Sequence, residues 1–162
     1  MNKITLIVII VLMVVVAGCC KDPEPTESDT TTSYISFLDK GAVSPDAISI
    51  LTKIDKDYIL TTSYQRGSVI SSWNNRLLSE EYDRLNSIIM NNNLIGAPDP
   101  VDTIESHLCI GVQGIEIVIK TESIIDTINI EGIYRCDKSS WPIGLDSILL
   151  YKESLVSKYG PK

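Results

Sequence analysis

Two periodicities divide the chain. Ile48, Ile50, Thr52 and Ile54 alternate with Ser49, Leu51 and Lys53, the two-residue repeat of a strand with one buried face. Asp55, Lys56 and Asp57 supply a tight hairpin turn into residues 58–64, which are rich in β-formers. Gly67 breaks or bulges that strand, residues 68–73 continue it, and Asn74 and Asn75 turn the chain. A short apolar start at residues 34–38, closed by Asp39, Lys40 and Gly41, precedes this meander, with Ser44, Pro45 and Asp46 as punctuation. Three more strands follow later. Leu108, Ile110 and Val112 alternate with His107, Cys109 and Gly111; Gln113 and Gly114 turn; Ile115, Ile117 and Ile119 alternate with Glu116, Val118 and Lys120. Residues 124–130 make the last, with Ile128 and Ile130 facing inward.

The second repeat is helical. Tyr82, Leu85, Ile88, Ile89 and Asn92 share one side of a helix for which Ser79 is the expected N-cap. Glu80, Glu81 and Asp83 put negative charge at its positive end, and Asn91, Asn92 and Asn93 stop it where a left-handed residue is wanted. A final helix over about residues 143–159 is lined by Leu145, Ile148, Leu149, Lys152, Val156 and Tyr159. Ser140, Trp141 and Pro142 open it, and Gly160 and Pro161 end it. Strands then a helix, twice over and without a parallel crossover, predict an α+β fold: an antiparallel sheet of about five to six strands with both helices packed on one face. The opposite face, carrying Glu116, Lys120 and Thr127, is where function is expected to sit.

Ahead of this domain the pattern changes. Met1, Asn2 and Lys3 precede an uncharged apolar run at residues 4–17, the length of a signal-peptide core and short of the roughly 20 residues a comfortable membrane span needs. The run ends in Val16, Ala17, Gly18 and Cys19, which resembles the bacterial-type lipobox: an aliphatic residue, two small ones, then the cysteine that takes a thioether lipid. The resemblance implies a signal peptide at residues 1–18, lipidation of Cys19, and a domain anchored on the cell membrane outside the cytoplasm. Diacylglyceryl supplies the two chains that stable attachment requires. The alternative is an uncleaved anchor helix reaching Cys20, at the lower limit of spanning length; it places the domain on the same side. Residues 19–33 read as a flexible tether, with two prolines, four acidic residues and no large apolar side chain to bury. Residues 34–162 then form a single domain.

Charge narrows the partners. The chain has 14 Lys plus Arg against 21 Asp plus Glu, a net −7, and loss of Lys3 with the leader takes it to −8. That balance argues against nucleic acid and against docking on anionic lipid through a basic patch.

Two thiols of the domain, Cys109 and Cys136, are a candidate disulfide in an oxidising compartment, worth about 3 kcal/mol for a loop of that separation; free buried thiols are the alternative. His107 lies two residues from Cys109 and shares its strand face, so with Cys136 it offers three soft metal ligands. A closed structural zinc site wants four, so no metal and no cofactor is assigned. No Gly-x-Ser-x-Gly, His-Glu-x-x-His, phosphate-loop or dinucleotide glycine pattern occurs, and one His is too thin an inventory for a serine triad. Asp55 with Asp57, and Asp99 with Asp102, are read as solvated turn acids, and Trp73 and Trp141 as packing staples.

The element order, with the runs Tyr64-Gln65-Arg66-Gly67, Leu78-Ser79-Glu80-Glu81-Tyr82, Asn93-Leu94-Ile95-Gly96-Ala97-Pro98 and Pro142-Ile143-Gly144-Leu145, resembles small secreted domains such as the emfourin-type inhibitors of thermolysin-like metalloproteases. Arg66-Gly67 stands where that family carries paired glycines, and no binding residue carries over. The resemblance implies a protease inhibitor presenting a loop such as residues 96–106. The residues themselves favour a non-catalytic module that binds a protein or envelope component, with an unrecognised hydrolase centred on Asp102, Glu105 and His107 as the contrasting class.

Overall fold

The computed structural model describes residues 32–41, 46–100, 114–131, 138 and 140–162. Six strands, β1 (Thr32–Asp39), β2 (Ile48–Asp55), β3 (Tyr58–Gln65), β4 (Ser68–Arg76), β5 (Ile115–Thr121) and β6 (Ile125–Ile130), form one sheet in the order β4-β3-β2-β1-β5-β6. Every neighbouring pair is antiparallel. Helix α1 (Ser79–Asn91) connects β4 towards β5, and α2 (Leu145–Tyr159) closes the chain. The architecture is the α+β class that the two periodicities predict.

Register explains why one face is dry. Ile35 lies opposite Ile54 on β2 and Ile119 on β5, and Ile54 lies opposite Ile59 on β3. The next row runs Ile128, Ile117, Phe37, Thr52, Thr61. The β-branched side chains pack well on a pleated surface, and each fully buried one contributes on the order of 2 kcal/mol. From α1, Tyr82, Leu85 and Ile89 close over these rows; from α2, Leu145, Ile148 and Leu155 do the same. Both helices therefore share one face, as expected. The two threonines in the core satisfy each other, Thr52 Oγ1 lying 3.4 Å from Thr61 Oγ1.

Three local details depart from the sequence expectation. Residues 68–76 are not a continuation of β3 but a separate antiparallel strand, and Asn74 and Asn75 lie within it. The reversal is at Arg66 and Gly67, whose φ angles of 51° and 76° are those of a two-residue hairpin turn. Arginine is an uncommon occupant of the left-handed region, so only the glycine signals the turn. A bulge between Ser63 and Tyr64 then resets the register. Ser79 is the first helical residue of α1 rather than its cap; Leu78 holds that place and its carbonyl accepts the Glu81 N–H, without any side-chain cap. Helix α2 begins at Leu145, two residues beyond Ile143, because Gly144 at φ 85° precedes it. A Cβ on Gly144 would meet Asn92 Cγ at 2.3 Å, so the end of α1 and the start of α2 touch backbone to side chain there. At this same end of α1, Asn93 takes the left-handed conformation (φ 51°) that the asparagine run promised.

Candidate functional site

Residues that alternate with the core rows point to the sheet's other face. Tyr34 and Ser36 on β1, Lys53 on β2 and Val118 and Lys120 on β5 are neighbours there: Ser36 lies opposite both Lys53 and Val118, and Tyr34 opposite Lys120. Lys53 Nζ sits 4.2 Å from the centre of the Tyr34 ring and Lys120 Nζ 5.6 Å from it. The negative face of the phenol ring attracts both ammonium groups, roughly 0.5–1 kcal/mol for each at an exposed site. Among the described residues neither lysine has a carboxylate within salt-bridge distance. One row along, Lys40 pairs with Glu116 at 3.2 Å. Leu38, Leu51, Leu60, Val118 and Tyr64 fill the rest, half-buried by one another. Glu116, Lys120 and Thr127 fall on this face as the alternation predicts. Both helices lie on the opposite side, so a mixed apolar and cationic surface is turned outward in a chain that is acidic overall.

At the foot of the sheet, a cleft of about 570 Å³ is lined by Thr32, Ser33, Asp55, Lys56, Asp57, Tyr58, Tyr82 and Glu122. Its polar groups are largely committed to structure. Asp55 Oδ1 accepts the backbone N–H groups of Asp57 (2.9 Å) and Tyr58 (2.8 Å), which shapes the β2–β3 turn. The Tyr82 hydroxyl donates to the Thr32 carbonyl, and burial, with the charges of Asp55 and Asp83, pushes its pKa up to about 12. The phenol therefore stays neutral and holds the start of β1 rather than serving as a proton carrier near neutral pH.

Charged groups that composition could not place form two contacts, one between helix and sheet and one between the helices. Lys152 Nζ reaches Asp39 Oδ2 at 2.7 Å and Glu153 Oε1 at 2.8 Å, with the Lys152 side chain only 5% exposed. Helical spacing had put Lys152 on the inward side of α2, and Asp39 follows Ile35 and Phe37 on the inward side of β1; what spacing could not give is that the two meet. Between the helices, Glu81 accepts hydrogen bonds from Tyr151 and Lys158. Lys158 first and Tyr151 second hold the Glu81 carboxyl below the usual carboxylate range, while burial and the Glu81 charge drive the Tyr151 hydroxyl well above the usual phenol range.

The sequence-derived candidates separate into two groups. Cys19, Cys20, Asp102, Glu105, His107, Cys109 and Cys136 lie outside the described residues, as does the strand expected at residues 107–112. Asp55 and Asp57 lie in the turn expected of them, and Asp99 accepts the Asn129 N–H at 2.7 Å on the edge of β6. Trp73 and Trp141 are partly buried against the core, Trp141 with Lys138 over its ring at 5.3 Å. Among the described residues no group of three or more His, Cys, Asp or Glu is placed to hold a metal ion, and no helix is long and apolar enough to cross a membrane. No protein-family model matches the chain, and no curated protein matches it.

Proposed function

We propose that the protein is a membrane lipoprotein, anchored through Cys19, whose α+β domain is a non-catalytic binding module, and that the outward sheet face is its docking surface. The observation that carries the docking surface is the Lys53–Tyr34–Lys120 cluster set among Leu38, Leu51, Leu60 and Val118. Two ammonium groups with no carboxylate of the described residues within salt-bridge distance, on a half-apolar surface, fit a protein partner that presents an acidic side chain within an apolar patch. A polyanion fits less well, because the net −7 of the whole chain opposes its approach at long range. Placement is tested by the intact mass of membrane-extracted protein: a start at Cys19 plus diacylglyceryl supports it, and a chain that begins at Met1 without lipid refutes it. The docking surface is tested by capture from envelope extracts with the wild type and a Lys53→Glu/Lys120→Glu chain. A protein retained by the wild type and lost, at about tenfold or more, from the variant supports this surface; equal capture by both refutes it.

A second reading is a protease inhibitor. It is favoured by the way residues 94–100 are braced against β6: Leu94 is fully buried, the Gly96 N–H donates to Asp126 Oδ2 at 2.7 Å, and Asp99 takes the Asn129 N–H. An inhibitory loop needs a rigid base of this kind. Titration of a thermolysin-like metalloprotease with the protein, before and after shortening residues 96–106, tests it; undiminished protease activity at stoichiometric excess ends this reading.

A further inference from the structure

The sheet's two edges are treated differently. On β6, a side chain from the loop after α1 takes up one edge position, Asp99 accepting the Asn129 N–H. On β4, no backbone group of the described residues bonds to the outer edge. Every residue of β4 except Trp73 is exposed, and the stretch from Tyr64 to Ser79 holds no acidic residue in a chain that has 21. Natural edge strands are commonly blunted by inward charge, proline or covering segments. From Ser68 to Asn75 there is neither a charge nor a proline.

The hydrogen-bond phase of β4 fixes what that edge offers. The Leu77 N–H donates to Asp57 O at 2.8 Å, which makes Leu77 and Asp57 a bonded pair. Alternation then makes Asn75 with Ile59, Trp73 with Thr61 and Ser71 with Ser63 the bonded pairs of the β3–β4 ladder. The N–H and C=O groups of Ser72, Asn74 and Arg76 consequently point away from β3. No backbone partner reaches them among the described residues.

We propose that β4 is a pairing edge for a second copy of this chain, joined antiparallel about a two-fold axis through Asn74, so that two six-stranded sheets become one continuous sheet. In this register Asn74 faces Asn74 of the other copy and Ser72 faces Arg76, each a bonded pair, while Trp73 faces Asn75 on the helix side. A two-fold interface must be self-complementary, and this one sets no acid against acid and no Arg against Arg. Charge favours this place of contact. Two copies at −7 repel at long range, and the run from Ser68 to Ser79, which carries Arg76 and no acidic residue, adds nothing to that repulsion; Arg66, just beyond it, is paired with Asp46. The inference is independent of the docking face, which lies on the broad side of the sheet.

Cysteine cross-linking of the full-length chain tests the register. Bonded antiparallel partners have Cα atoms about 5.5 Å apart, within the disulfide range. Asn74→Cys is expected to give a reductant-sensitive covalent dimer at several-fold the level of the wild type, whose four native cysteines set the background. Ser72→Cys and Arg76→Cys separately place their thiols more than about 13 Å from their own copies and stay at background, whereas the doubly substituted chain cross-links. Asn74→Pro is expected to yield a monomer by sedimentation, because it deletes an N–H that the β3–β4 ladder does not use. If that variant fails to fold, the cysteine series decides alone. Cross-linking of Asn74→Cys no higher than wild type, or equal at positions 72, 74 and 76, overturns the proposal, as does a folded Asn74→Pro chain that remains a dimer.

Discussion

Removing either partner of the Lys152–Asp39 pair should destabilise the domain, but unequally. Asp39→Ala leaves the ammonium of Lys152, on a side chain 5% exposed, without its shorter partner. Loss of one member of a buried pair costs about 3–5 kcal/mol, chiefly because the survivor stays charged out of water. Glu153 remains at 2.8 Å and is itself 63% exposed, so it offsets part of the loss and the lower end, about 3 kcal/mol, is expected. Lys152→Met reverses the situation. The aliphatic stem is replaced by one of similar volume, and the stranded Asp39 is 15% exposed and keeps a further interaction, so about 1–2 kcal/mol is expected. Asp39→Ala/Lys152→Met should then be less damaging than Asp39→Ala alone, since no ammonium is left to strand. Urea titration of all four chains at neutral pH measures each term, with midpoints compared only if the slopes agree. An Asp39→Ala loss below about 0.5 kcal/mol, or a Lys152→Met loss larger than that of Asp39→Ala, would mean the pair is solvated and the reasoning from burial fails.

Alkaline stability should depend on Tyr82. Its folded pKa of about 12 lies above the ordinary 10, so its contribution is complete below pH 10 and is lost as pH rises towards 12; Tyr82→Phe, which costs about 1 kcal/mol at neutral pH by losing the Thr32 hydrogen bond, should show a flatter stability curve across that window. On the acid side, Glu81 is depressed by Lys158 and Tyr151, so its contribution is present above the ordinary 4.5 and is lost as pH falls below it; Glu81→Gln should remove that part of the acid slope in chemical denaturation, and an unchanged slope would count against the network. Gly144→Ala is expected to cost about 2 kcal/mol or more, from a positive φ that alanine resists and a Cβ driven into Asn92; Asn92→Gly made in the Gly144→Ala background removes both the Cβ and the amide that the new methyl meets and should recover the steric part, which thermal melts would reveal. Arg66→Gly should stabilise by up to about 1 kcal/mol, since glycine takes the left-handed turn position without strain, and a loss on this substitution would show that the Arg66–Asp46 ion pair at 2.9 Å outweighs it.

Local chemistry carried most of the element plan. Period-two isoleucines marked β2, β5 and β6, and helical spacing marked both helices, because side-chain direction repeats strictly with backbone geometry and a one-residue slip would turn the buried isoleucines to water; Ile48, Ile50 and Ile125, towards the strand ends, are exposed even in the native register. The same rule predicted which side of the sheet would face outward, through Glu116, Lys120 and Thr127. The proposed leader and tether rest on composition alone, since length and charge set what such a segment can do in a membrane. Tertiary structure alone decided the rest. It placed β1 between β2 and β5, which brought Lys53 and Lys120 from strands far apart in sequence to either side of Tyr34. It joined Lys152 to Asp39 across 113 positions, and it put β4 on the edge, where no described backbone group bonds its outward amides. These are properties of strand order and register. A local pattern states which way a side chain points, and only the assembled sheet determines which other side chain it meets there.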